Sequence, residues 1–225
     1  MSFVQLMSIP LLSVLETRVL GVLVEKQHTV PDTYPLTLNA LVAGCNQKTS
    51  RDPLLNATDA DVLAAIDRLR AHSLIVESSG GRVMRYSHNV ERVLAIPAQA
   101  VALLTALMLR GPQTVGELRI NCDRLHRFAD VSAVEGFLHE LAARPTGALV
   151  VELVRQPGAR ETRWAHLVCG PLVAETASPM AAPDEAVTVG ELAALKADVQ
   201  QLQEELAAVK AIVQKLCAGL GMPAP

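Results

Sequence analysis

The sequence predicts an α+β fold, mainly α, in which tandem winged helix-turn-helix domains are followed by a C-terminal coiled-coil helix. Signals for helix starts recur along the chain, the order helix, helix, helix, strand, turn, strand occurs twice, and a heptad pattern of Leu and Val follows. These patterns predict four segments: a first winged-helix domain at 1–92, a second at 93–170, an Ala/Pro-rich linker at 171–187 and a coiled-coil dimerisation helix at 188–220.

Capping boxes mark the predicted helix starts. In this motif a Ser or Thr oxygen accepts an orphan backbone N–H, and an acid three residues later accepts the N–H of the cap residue. The candidate boxes are Ser13 with Glu16, Thr58 with Asp61, Thr114 with Glu117, Ser132 with Glu135, and Thr188 with Glu191.

The two predicted domains share one plan. In the first, three helices lead to a strand at 74–79, a Gly-Gly turn and a strand at 82–88. The second has helices at 97–110, 114–122 and 132–143, and strands inside 149–156 and 161–168 on either side of a Pro-Gly turn. Because each copy ends in a β-ribbon after three helices, the repeat predicts a winged helix twice.

Individual residues repeat as well. Thr37, Leu41 and Cys45 match Thr114, Leu118 and Cys122, and RYSH at 85–88 matches RWAH at 163–166. Side chains alternate along a strand, so Tyr86 and Trp164 each share a ribbon face with a His. We interpret both aromatics as lids beneath the ribbons rather than as ligand contacts.

One long stretch carries a family resemblance. The wording LETRVLGVLVEKQHTVPDTYPLTLNALVAGCNQKTSRDP, at 15–53, resembles the YceH family of bacterial proteins, and the resemblance covers roughly residues 12–170. It includes the family segment CNQK-x-x-RDP, carried here by residues 45–48 and 51–53. The resemblance implies tandem winged-helix domains and implies no activity, because that family is functionally uncharacterised.

Composition narrows the function classes. At 225 residues and 50% apolar, the chain is expected to fold, and its six aromatics leave little to stack bases on. Four scattered cysteines without CxxC or His clustering predict reduced thiols, with no metal site and no disulfide. No charged signal-peptide start precedes Arg18 and no apolar run reaches about 18 residues. We therefore expect a soluble, cytoplasmic protein without a membrane partner.

No catalytic residue or cofactor is predicted. The sequence contains no phosphate-binding glycine loop, no HExxH and no nucleophile motif with a partnered base, so we expect a protein that is not an enzyme. Cys45 precedes a polar run, but its recurrence as Cys122 indicates that both fill a small apolar space at a helix end.

The net charge of −3 is unevenly distributed. Residues 1–92 carry nine Lys/Arg and nine Asp/Glu, residues 93–170 carry eight and seven, and the remainder carries three and seven. The acidic surplus thus belongs to the tail, and the body of the protein is close to neutral.

The tail shows the heptad spacing of a left-handed coiled coil. Its seam comprises Leu192, Leu195, Val199, Leu202, Leu206, Val209, Val213, Leu216 and Leu220. With Leu192 at position a, Glu191 and Glu205 fall at g, and Lys196 and Lys210 fall at e. A parallel pair places each Glu opposite a Lys of the other chain, so the charges predict a parallel homodimer.

Candidate DNA contacts lie in turns and wings. Winged helices usually place their third helix in the major groove and brace the wing against phosphates, but acids occupy both third helices here. The basic and amide candidates are Asn46, Gln47, Lys48, Arg51, Arg82, Arg85, Arg124, Arg127, Arg160 and Arg163.

The polar run NQKTSRD at 46–52 has two interpretations. Asn46 and Gln47 suit an adenine edge, and Lys48 and Arg51 suit phosphate. The same run can instead be a turn capped by its own side chains, with Asp52 before a proline setting the chain direction.

Two functions follow from these alternatives. The first is a dimeric winged-helix protein that binds double-stranded DNA and acts as a transcriptional regulator. The second is a tandem winged-helix adaptor of the chromosome-segregation type, which binds a protein partner and not DNA. The neutral body and the acidic third helices favour the adaptor, whereas fold analogy favours the regulator.

Removing residues 188–225 is expected to convert a dimer into a folded monomer, because the predicted heptad seam is the main contact between chains. Sedimentation of the full-length and truncated proteins measures this. A truncated protein that remains a tight dimer would place the principal interface in the winged-helix body.

Overall fold

The computed structural model describes residues 11–79 and 83–170, which fall within one compact unit. This part of the chain is α+β and mainly helical, as predicted. In chain order its elements are α1 (Val14–Thr29), β1 (Leu36–Thr37), α2 (Leu38–Cys45), α3 (Asp59–Ala71), β2 (Ile75–Ser79), β3 (Met84–His88), α4 (Val90–Leu94), α5 (Ala98–Arg110), α6 (Val115–Asn121), α7 (Val131–Ala142), β4 (Val150–Glu152) and β5 (Trp164–His166).

Three predicted capping boxes are confirmed, at the starts of α1, α3 and α6. The hydroxyls of Ser13, Thr58 and Thr114 accept the N–H of the third helical residue, and the acid at that position accepts the N–H of the cap. These side chains fix where the three helices begin.

The start of α7 corrects a fourth prediction. The helix begins at Val131, and its cap is Asp130, whose Oδ1 accepts the Ala133 N–H at 2.8 Å. Ser132 therefore lies inside the helix. An aspartate is at least as good an N-cap as a serine, so the helix extends to the earlier residue.

The first half forms a three-stranded antiparallel sheet in the order β1-β3-β2. In the β2–β3 ribbon Ile75 pairs with His88, and β1 adds Leu36 opposite Tyr86. The sequence did not predict β1, because two residues are too short for an alternating pattern. Tyr86 is buried beneath the ribbon, in agreement with its interpretation as a lid.

The second half repeats this plan in reduced form. The strands β4 and β5 pair over three residues each and are shorter than predicted. The counterpart of β1 is a single bridge, in which Gln113 and Trp164 exchange two backbone hydrogen bonds of 2.7 and 3.0 Å. Trp164 is buried like Tyr86, which again agrees with a role as a lid.

Both halves contribute to one continuous core. Residues from α1, α3, α5 and α7 belong to a single buried cluster. The helices α1 and α5 approach closely, because a Cβ built on Gly21 would lie 2.9 Å from Leu109 Cδ2. At the ends of the body, the Leu12 N–H donates to the Val168 carbonyl at 2.8 Å. The halves are therefore packed together rather than merely joined.

The predicted boundary between residues 92 and 93 falls inside the short helix α4, which the sequence did not predict. The division into domains at that point stays a prediction. None of the helices in the described part of the chain has the length and apolar character that a membrane crossing needs.

Several predictions concern residues outside the described ranges. They are the candidate contact Arg82, the linker at 171–187, the coiled coil at 188–220 with all its heptad residues, and the capping box at Thr188. They stay predictions.

Two helical glycines form a matched test of the packing. A Cβ on Gly44 would lie 2.6 Å from Cγ1 of Val22, a fully buried β-branched residue, whereas a Cβ on Gly136 meets nothing within 4 Å. We expect Gly44→Ala to destabilise the protein by about 1–3 kcal/mol through overpacking. We expect Gly136→Ala to stabilise it by roughly 0.5–1 kcal/mol through helix propensity.

Denaturant unfolding of both variants measures these changes. Equal effects of the two substitutions would contradict the tight contact between α1 and α2 at Gly44.

Candidate functional site

The polar turn after α2 is held together by its own side chains. Asn46, which caps the C-terminus of α2, brackets the backbone of Ala57 from both sides. Its Nδ2 donates to the Ala57 carbonyl at 2.8 Å, and its Oδ1 accepts the Ala57 N–H at 2.8 Å. The Asn46 amide thus fixes the segment that leads to α3. The amide nitrogen and oxygen that would read an adenine edge are both already hydrogen-bonded.

Arg51 points inward, and its side chain has no exposed surface. Its two terminal nitrogens donate to the two carboxylate oxygens of Glu25 at 3.1 and 2.6 Å. Its Nε donates to the Gly44 carbonyl at 3.3 Å, and Nη1 also donates to the Ser50 carbonyl at 2.9 Å. A guanidinium bound in this way cannot reach a phosphate outside the protein.

A second guanidinium lies behind the turn. Arg18, in the second turn of α1, is 1% exposed, and it donates to the Cys45 carbonyl at 3.2 Å and the Pro53 carbonyl at 2.7 Å. Burial and the neighbouring charge of Arg51 both lower its pKa. Arg18 and Arg51 together fasten both ends of the turn to α1.

The structure therefore removes two predicted contacts from the candidate set. Asn46 and Arg51 take the second interpretation of the run, as parts of a self-capped turn. Sequence reasoning did not find Arg18 and Glu25, the partners of this turn. A usable signal was present, because residues 18 and 25 are seven apart, flank the apolar run at 19–24 and therefore share one helix face.

Two remaining candidate contacts of the turn are not buried. Gln47 is half-buried, and its Nε2 donates to the Thr49 carbonyl at 3.0 Å. Lys48 is exposed and forms no ion pair with another described residue. Lys48 is thus the free cation of the first turn.

Two arginines at the β-ribbons stabilise the loops before the second helices. Arg85 donates to the carbonyls of Thr33 at 3.3 Å and Pro35 at 2.8 Å, before α2. Arg163 donates to the Pro112 carbonyl at 3.3 Å, before α6, and lies 3.4 Å from a Glu117 oxygen. The two positions therefore play the same structural role in the two copies, although Arg163 remains about half exposed.

The remaining candidates lie in the second half. Arg124 and Arg160 are exposed and form no ion pair within the described ranges. Arg127 is 89% exposed and lies 3.8 Å from an Asp123 oxygen. An exposed pair at this distance contributes little, so Arg127 can still turn to another anion.

The arginines of α3, the third helix of the first half, are paired with acids. On α3, Arg70 pairs with Asp67 at 3.0 Å and with Glu77 at 2.8 Å, and Arg68 pairs with Glu16. Both basic residues near the end of α3 are therefore already paired.

On α7, Glu135 and Glu140 are exposed. Its only basic candidate, His139, packs edge-on against Trp164 at a ring distance of 5.3 Å. Both third helices thus lack a free cation in their described contacts.

The two polar turns lie beside one cleft of about 300 Å³. Corresponding elements of both copies line it: the ends of α1 and α5, and the turns after α2 and α6. Its basic lining residues are Lys26, Arg110 and Arg124. The cleft therefore brings together side chains that lie about 100 residues apart in sequence.

The two cysteines at matching positions of the repeat are buried and free. Cys45 and Cys122 are each 0% exposed, and burial raises the pKa of each thiol to about 12. Both are therefore protonated at neutral pH and pack as small apolar side chains, as their repeated position predicted. Among the described residues, no three His, Cys, Asp or Glu side chains are grouped so as to hold a metal ion.

Arg51→Ala is expected to destabilise the protein by about 3 kcal/mol, because it leaves Glu25 and two backbone carbonyls without their donor. Lys48→Ala, a loss of the same charge three residues away, should change stability by less than about 0.5 kcal/mol, since Lys48 is exposed. Chemical denaturation of both variants makes the comparison. If Arg51→Ala unfolds like the wild type, the guanidinium does not hold the turn.

Comparison with known proteins confirms the family resemblance of the sequence. A family model described as "Protein of unknown function, DUF480" matches residues 12–159. A UPF0502 protein of Methylibium petroleiphilum is 60% identical over 87% of this chain and 84% of its own length. UPF0502 proteins of Burkholderia pseudomallei and Paraburkholderia xenovorans are 58% and 54% identical, covering 94% and 96% of this chain and 90% and 92% of their own lengths. The chain therefore belongs to the bacterial DUF480 family, whose function is uncharacterised.

Proposed function

We propose that this chain is a tandem winged-helix protein that binds double-stranded DNA as a homodimer and acts as a cytoplasmic transcriptional regulator without enzymatic activity. One observation carries the proposal: the turns after α2 and α6 lie on either side of the same cleft, and each presents an exposed cation that forms no ion pair within 11–79 and 83–170. These cations are Lys48 and Arg124.

The order of elements supports the winged-helix assignment. Each half has three helices followed by an antiparallel ribbon, and in each half the residue before the second helix is a threonine cap. In the winged helices known to bind DNA, this arrangement places a helix in the groove and the wing on the backbone. A shared order of elements indicates a similar fold and does not by itself indicate a similar function, which depends on the residues of the site.

The charges of this site support phosphate contact more than base readout. Lys48 and Arg124 are free, and Arg160 is exposed on the second wing. The amide of Asn46 is bonded internally. Gln47, the remaining amide candidate in the first turn, must release its bonds to Thr49 and Arg51 before it can read a base. Binding through cations alone is strongly salt-dependent and reads little sequence.

The proposed contact set is therefore smaller than the predicted one. Lys48, Arg124, Arg127 and Arg160 remain as phosphate contacts, Gln47 remains as a base contact, and Arg82, outside the described ranges, stays a candidate. Arg85 and Arg163 contribute through the loops that they hold in place, and Arg51 through the turn.

A titration of genomic and mixed-sequence duplexes at about 50 and 200 mM salt tests the proposal, because cation-dominated affinity falls steeply over that range. Lys48→Ala and Arg124→Ala should each make the negative slope of log K against log salt shallower by about 0.9. The matched control is Arg92→Ala, which removes an exposed arginine on α4, outside the cleft lining. Absence of binding at the lower salt would overturn the proposal.

The acidic third helices favour a second function, a protein-binding adaptor. On α3, Asp59 and Asp67 are exposed, and both arginines of that helix are paired with acids. Such a surface repels DNA and suits a basic protein partner. The adaptor predicts negligible duplex binding at low salt and a purified partner whose affinity falls in Asp59→Asn and Asp67→Asn, but not in Lys48→Ala.

A further inference from the structure

We propose that the cleft between the two copies binds a small polyanion, a compact molecule with two or more phosphate or carboxylate groups. Its volume of about 300 Å³ lies at the lower end of the range for small-molecule sites. The proposal does not depend on DNA binding, although Arg124 belongs to both surfaces.

Positive charge dominates the lining of the cleft. Lys26, Arg110 and Arg124 contribute three cations, and Glu25 is the acid among the lining residues. The carboxylate of Glu25 is bound on both oxygens by Arg51, and one oxygen also lies 3.5 Å from Lys26 Nζ. The buried Arg51 therefore neutralises the one acid, and the lining keeps an excess of positive charge.

The hydrogen-bonding groups of the lining point to an anion. Arg110 and Arg124 make no ion pair with another described residue, so their planar guanidiniums are free to bind an oxyanion with two parallel bonds. The Ser50 hydroxyl is a further free donor on the rim. The two guanidiniums only donate and carry positive charge, so they favour an oxyanion over a neutral ligand.

The amides of the cleft are already engaged in supporting it. Asn121 Nδ2 donates to Gln113 Oε1 at 2.6 Å, and Gln47 Oε1 accepts from Arg51 at 3.4 Å. Each amide therefore braces one turn. The positions of the cations across the cleft are set by these contacts and by the packing of α1 against α5.

The shape and walls of the cleft favour a compact ligand. Its apolar walls are Ala106, Leu109 and Leu125, and none of the described lining residues is aromatic. A nucleobase would find no aromatic stacking partner among these residues. Pyrophosphate-like and tricarboxylate-like molecules fit the chemistry better than nucleotides do.

Isothermal titration of the full-length protein with pyrophosphate, and separately with citrate, tests the proposal and distinguishes phosphate from carboxylate ligands. We expect saturable binding of at least one probe with one site per chain. Arg110→Gln and Arg124→Gln should each weaken it by about tenfold or more, as for loss of one charge-assisted hydrogen-bonding group. Arg92→Gln, the matched loss of charge outside the cleft, should bind like the wild type.

Two results would overturn the proposal: no saturable binding of either probe at millimolar concentration, or equal affinities of Arg110→Gln, Arg124→Gln and Arg92→Gln. Arg124 is exposed, so its variant should fold even if a change at the half-buried Arg110 disturbs α5. Thermal melts confirm that each variant is folded.

Lys48→Ala separates this proposal from DNA binding. It should weaken duplex binding and leave the affinity for pyrophosphate unchanged, because Lys48 does not line the cleft. A protein that fails to bind duplexes but still binds a probe through Arg110 would overturn the DNA proposal alone.

Discussion

The ion pair between Arg51 and Glu25 is the interaction on which the candidate site depends. It connects the turn after α2 to the C-terminal part of α1. Arg18, in the second turn of α1, donates to backbone carbonyls at both ends of the same turn. Buried charges are costly unless paired and bonded, and here nearly every donor has an oxygen partner. The exception is Arg18 Nε, which has no partner in the described structure.

This arrangement explains why a run of polar residues does not behave as a uniform surface. Asn46 is hydrogen-bonded to the backbone and Arg51 is paired with Glu25, whereas Lys48 between them is exposed. A rigid turn can present a lysine at a fixed place only because its neighbours hold the backbone. The internal residues thus act on any ligand through positioning, and the exposed ones through contact.

Local patterns in the sequence predicted most of the fold. The capping boxes at Ser13, Thr58 and Thr114 and the repeat of helices and ribbon depend on residues close together in the chain. Elements without such a pattern escaped prediction: β1 has only two residues, and α4 has five. The start of α7 was misplaced because Asp130 and Ser132 are both good caps, and sequence alone does not decide between them.

The candidate site was less predictable, since its contacts are distant in sequence. Nothing near Arg51 in the chain reveals Glu25, 26 residues earlier, as its partner. The convergence of Lys26, Arg110 and Arg124 on one cleft likewise depends on how the two copies pack. Tertiary packing decides which basic residues are paired and which are free, and the sequence alone does not give that packing.

The close approach of α1 and α5 at Gly21 has a consequence for how this protein can change over evolutionary time. Tandem repeats are often gained, lost or exchanged between genes as independent modules. Here removal of either copy would expose the apolar residues that the other copy covers, so the two copies are expected to be gained or lost together. The same packing fixes the distance between the two turns, and a ligand that contacts both turns has to match that distance.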